Sequence, residues 1–124
     1  MRFVKPDVVR IDLEFGDGSS GWIDVKKELT AGEEKRFRTA GFKRLSQSGS
    51  DGRNEVDIDW SAMAFARAEA YLADWSEKRK LNADTIRALA KDDFDVIDAA
   101  IQLHIEAMEQ EKKATSGAPT LVSH

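Results

Sequence analysis

The sequence predicts a small α+β fold, a β-hairpin followed by a helical body. Two observations carry that expectation. An alternating apolar run near the start is followed by a glycine-rich turn, and the apolar spacing switches to three and four residues further on. The 124 residues suit one domain, read as 1–113 with a disordered tail over 114–124. Such a chain buries enough surface for a core without metal or disulfide staples, and it contains no Cys.

From Val8 to Phe15, residues Val9, Ile11, Leu13 and Phe15 share one parity, and Arg10, Asp12 and Glu14 take the other. Period two with β-branched residues marks a half-buried strand. Gly16-Asp17-Gly18-Ser19-Ser20-Gly21 supplies a reversal, and Trp22-Ile23-Asp24-Val25 resumes in extended style, giving strands over about 8–15 and 21–26.

Thr30-Ala31-Gly32-Glu33 is a capping-box pattern, which opens a helix from about Ala31 to Leu45 with Phe37 on its apolar side. The run 46–54 has no apolar residue and reads as a surface loop, and 55–59 as a short extended lead-in. Trp60, Met63, Ala64, Ala68, Tyr71, Leu72 and Trp75 recur at helical steps and predict a central helix capped by Asp59 or Ser61. Asn82 caps a short helix bearing Ile86 and Leu89. Asp92 caps a last one, from about Asp93 to Lys113, with a core stripe of Phe94, Ile97, Ile101, Ile105 and Met108.

The net charge of −4 argues against a dedicated nucleic-acid binder. Seven Lys/Arg against three acids over 26–44, and seven acids without Lys or Arg over 92–111, are the solvated faces of amphipathic helices that also admit self-association. The N-terminus lacks a secretory h-region, and no apolar run is long enough to cross a membrane, so a cytoplasmic protein is expected.

No catalytic constellation emerges. His104 falls on or beside the buried face of the last helix, where a lone imidazole serves packing, and the other His is residue 124. Asp57 and Asp59 share a face of an extended segment and offer an acid pair, but capping the next helix explains them better. Asp17 to Glu28 has the length of a calcium loop, yet Trp22 stands where Gly is needed. Gly16 to Gly21 matches GxGxxG only between two strands, without the helix N-terminus that binds phosphate. No cofactor or metal is expected. With three Trp in a chain this size, some are core and one is partly exposed.

The order of motifs carries a resemblance. Leu29-Thr30-Ala31-Gly32-Glu33 follows the hairpin. Ala70-Tyr71-Leu72-Ala73-Asp74-Trp75-Ser76 comes next, then Ala88-Leu89 and Asp92-Asp93-Phe94-Asp95, then Ile105-Glu106-Ala107-Met108-Glu109-Gln110-Glu111-Lys112-Lys113. Over roughly residues 8–113 this resembles the tail assembly chaperones of long-tailed (siphovirus-type) bacteriophages and their prophages. That family often has a Pro near Leu81 and another before the Phe94 region; here Lys80-Leu81-Asn82 and Lys91-Asp92 stand there.

The resemblance implies a non-enzymatic adaptor in the cytoplasm of the bacterial host. It would coat the tape measure protein, recruit major tail tube subunits and be absent from the finished virion. It also implies a longer frameshifted product, for which Lys112-Lys113 is a candidate slip region. Such work needs an aromatic patch rimmed by charge, and Trp22, Arg36, Phe37, Arg38, Phe42 and Trp75 are the candidate partner contacts. The runners-up are another neck or tail structural component and a small protein-binding module.

Overall fold

Alternation builds the first strand, and the second, buried at Ile23, Asp24 and Val25 in succession, pairs with it. β1 (Val8–Glu14) and β2 (Ser20–Lys26) pair antiparallel in unbroken register, Ile11 opposite Ile23 and Leu13 opposite Gly21. Their reversal holds Gly18 at φ 85°, which a side chain would strain, and the Asp17 carboxylate accepts hydrogen bonds from the Ser19 amide and hydroxyl. A computed structural model describes residues 1–40 and 59–121, with side chains through 114. The expected loop at 46–54, the lead-in at 55–58, the helix extension to Leu45, Phe42 and Asp57 all lie outside the described residues.

α1 (Ala31–Ala40) opens at the expected capping box, the Thr30 hydroxyl accepting from the Glu33 amide while the Glu33 carboxylate accepts from the Thr30 amide. α2 (Trp60–Tyr71) is capped by Asp59, which accepts from the Ala62 amide. The expected helix through Trp75 stops four residues short. Leu72 to Trp75 is β3, antiparallel to β2, and completes a sheet of order β1-β2-β3.

Leu72 and Trp75 are three apart, a spacing that satisfies a helix face, and in a regular strand they would face opposite ways. The register shifts between Asp24 and Val25, which leaves Ala73 as the extra residue of a bulge and turns both side chains inward. Long-range pairing to β2 outweighs the local helical spacing. The Ser76 amide donates to the Trp22 carbonyl, and the Trp22 amide donates to the Ser76 hydroxyl.

α3 (Ala83–Arg87) carries a reciprocal Asn82–Thr85 box. α4 (Lys91–Leu121) begins with Ala90 accepting from the Phe94 amide, so Asp92 and Asp93 sit in its first turn rather than capping it. Its backbone is helical through Leu121.

α4 lies on β1 and β2. Ile101, Ile23 and Val25 are the largest completely buried side chains, joined by Leu13, Leu72, Trp75, Ile86, Phe94 and Ile97 in one cluster. α2 flanks α4, and Arg67 makes a two-pronged ion pair to Asp98, at 2.8 and 3.1 Å, that is largely shielded from solvent. On the outer sheet face the nearly buried Asp24 takes both prongs of Arg10, whose guanidinium lies 3.6 Å above the Trp22 ring.

A Cβ at Gly21 would lie 2.7 Å from the Ser76 hydroxyl and 3.3 Å from the Phe15 ring. That hydroxyl is held by the Trp22 amide and cannot retreat freely. Gly21→Ala is therefore expected to destabilise the fold by about 1–3 kcal/mol, read as a lower urea midpoint. The Gly21→Ala/Ser76→Ala pair should recover part of the loss; an unchanged midpoint in the single variant would refute the contact.

Candidate functional site

The site grows from the end of β2. Lys26 forms an ion pair with Glu33, so one carboxylate both completes the α1 cap and ties α1 to the sheet. The lysine and the amide hydrogen bonds hold the Glu33 carboxyl below its ordinary value.

One turn further on, Phe37 meets Tyr71 edge-on at 6.2 Å, and Tyr71 meets His104 edge-on at 6.5 Å. His104 is 5 % exposed, with Nε2 2.8 Å from the Lys26 carbonyl oxygen. A carbonyl only accepts, so Nε2 carries the proton. The imidazole therefore seats α4 on β2, the packing role its place on the helix predicts. Three rings thus link α1, α2, α4 and the end of β2.

Beside this row runs an open groove of about 890 Å³, between α1 and α2 on one wall and α4 on the other. Its apolar lining is Leu29, Phe37, Tyr71, Ile105 and Met108. Its rim carries both signs: Arg2, Lys27, Arg38 and Lys112 against Glu28, Glu34, Glu106 and Glu109. Arg2 is paired with Glu28 and Arg38 with Glu34, both on exposed surface. Burial, then the charges of Glu34 and Glu109, push the Tyr71 phenol above its ordinary value, so it remains a neutral donor at physiological pH. Phe37 also borders a second hollow of about 190 Å³ with Arg36, Ala66 and Ala70.

The candidate contacts divide. Phe37 and Arg38 line the groove, and Arg36 lines the smaller hollow. Trp22 is half-buried beneath Arg10 on the outer sheet face, apart from both. Trp75 is corrected to the core. It is 6 % exposed, and its indole N–H donates to the Arg79 carbonyl at 2.8 Å, which leaves nothing for a partner to grip. Trp60, read from the sequence as part of the inner helix face, is 70 % exposed.

Tyr71, Ile105 and Met108 are groove residues that the sequence reading placed in core stripes. Each sits at a helical core spacing yet is only half-buried. Periodicity identifies the face of a helix and not how completely that face is covered.

Asp59 is occupied as the α2 cap. Among the described residues no group of three or more His, Asp or Glu is placed to hold a metal ion, and no helix is long and apolar enough to cross a membrane. The groove's titratable groups are carboxylates, Lys, Arg and Tyr71, several of them ion-paired, around an apolar floor. Such a surface can bind an amphipathic segment. An α-helix is about 10 Å across, so the volume corresponds to roughly two turns of one. No family model, curated protein or solved structure matches this chain.

Because the Glu33 carboxyl is depressed, the stability it contributes is fully present above its unfolded value near 4.5 and is lost as pH falls through the lower folded value. Glu33→Gln keeps the cap geometry and removes the charge facing Lys26. The variant should melt lower than wild type at neutral pH, and the gap should narrow as pH falls to about 3. A gap independent of pH would show that the Lys26 pairing contributes nothing.

Proposed function

We propose that the chain is a non-catalytic adaptor of the tail assembly chaperone kind, which holds amphipathic helical stretches of the tape measure protein and brings tail tube subunits to them in the host cytoplasm. The groove carries this reading. It offers a floor of Phe37, Tyr71, Ile105 and Met108, between walls whose charges of both signs match the polar flanks of a helix. The motif order from Leu29 to Lys113 supports it independently.

The mechanism follows from the lining. A helix presenting apolar residues at three- and four-residue steps covers the floor while its charged flanks meet the rim, which removes that stripe from water and from other copies of itself. A groove two turns long captures little of a long helix. Modest affinity per copy and many copies along the target therefore suit the task.

Co-expression with the tape measure product encoded beside it tests the reading. Wild type should shift that product into the soluble fraction and co-purify with it. Met108→Glu and Phe37→Asp, which place charge on the groove floor, should lower the recovered complex at least about tenfold, a loss near 1.4 kcal/mol of binding. Equal recovery with these folded variants, or an insoluble partner with wild type, would refute the proposal. Finding the chain in purified virions would favour a resident tail component instead.

A further inference from the structure

β2 has a strand on each side, but β1 has none on its outer side among the described residues. The hydrogen bonds fix which of its groups face outward. The Lys27 amide donates to Asp7, and Phe15 donates to Ser19, so the odd-numbered residues of β1 bond to β2. In an antiparallel ladder the alternate residues point away. The N–H and C=O groups of Val8, Arg10, Asp12 and Glu14 therefore line a free edge of a seven-residue strand. That edge has no Pro, Lys or bulge, although Arg10, Asp12 and Glu14 place charge of both signs along it, whereas the opposite edge, β3, is four residues long and bulged.

We infer that this edge pairs with the same edge of a second copy, antiparallel about Ile11. The chain reads Val8-Val9-Arg10-Ile11-Asp12-Leu13-Glu14. Centred on Ile11, Arg10 faces Asp12 of the second copy, and Asp12 faces its Arg10. On the inner side Val9 faces Leu13, and Ile11 faces Ile11. In this register Arg10 and Asp12 bring opposite charges together and Val9, Ile11 and Leu13 set apolar against apolar, while at the ends Val8 falls opposite Glu14. It is also a register in which the outward-facing even residues oppose one another, each such pair exchanging two hydrogen bonds. A shift of one residue would set outward groups against inward ones.

The helix layer agrees. α4 lies on β1 and β2, with α2 on the flank that carries Asp98. On its other flank Val96, Ala100, Leu103 and Ala107 follow four-three-four steps; Val96 and Ala100 are half-buried against the core, while Ala107 is exposed and Leu103 is 68 % exposed. Strands spaced about 4.8 Å apart place two such helices about 10 Å apart across the two-fold axis, an ordinary packing distance. Two three-stranded sheets become one of six strands with both α4 helices on one face. The groove, on the α2 side of α4, stays open in each copy.

Sedimentation over a concentration series, joined to hydrogen exchange, tests this. Wild type should reach twice the 13.8 kDa chain mass. The Arg10 and Asp12 amides should exchange more slowly as concentration rises, while those of Val9, Ile11 and Leu13 stay slow throughout. Asp12→Pro removes an N–H that β2 does not use together with the carboxylate facing Arg10 of the second copy, and Leu103→Glu alters only the exposed flank; each should weaken the dimer at least about tenfold at unchanged helix content. A wild type that stays monomeric up to about 100 μM, or a dimer indifferent to both variants, would overturn the inference. Neither variant touches the groove floor, so capture of the tape measure product is read separately.

Discussion

The seating of α4 on β2 is the constraint on which the other contacts depend. Ile23 and Val25 are buried because β2 has a strand on each side and Ile101 joins their cluster from the helix above. Transfer of such side chains from water contributes on the order of 2 kcal/mol each, the largest local terms available to a chain this size. The same seating fixes rotation about the helix axis. His104 bonded to the Lys26 carbonyl and Asp98 bonded to Arg67 leave α4 one angular setting, which turns Ile105 and Met108 toward the groove.

Lys26 and Glu33 extend that constraint to the groove. None of the residues of α1 is buried, and the ion pair is its side-chain tie to the sheet. The rest of its packing is on α2, where Phe37 meets Tyr71 edge-on and Arg36 and Ala40 lie beside Ala66 and Ala70.

Parts of this were readable in the amino acids and parts were not, for physical reasons. The hairpin was legible because Val9, Ile11 and Leu13 alternate with charge, and the caps at Thr30, Asp59 and Asn82 because side-chain oxygens sit at the spacing that N-termini require. The third strand was not. Leu72 and Trp75 fit a helix face as well as a bulged strand, and only a partner 54 residues away, Trp22 against Ser76, decides between them. Phe37 and Arg38, singled out because aromatic and basic residues share a short helix, line the groove. Met108 was missed because coverage depends on neighbours and not on spacing.

That separation between Trp22 and Ser76 has a consequence for the order in which the protein can be built. During synthesis the hairpin leaves the ribosome first, with Ile23 and Val25 facing water. Its third strand arrives about 50 residues later, and the helix that shelters it later still, which at roughly 5–20 residues per second is a wait of several seconds. Until Ile101 emerges the nascent chain is a two-stranded ribbon with an oily side, too small to persist alone. The final helix is therefore the step that commits the whole chain, and a ribosome pausing before it would leave the ribbon longest at risk of pairing with a neighbour.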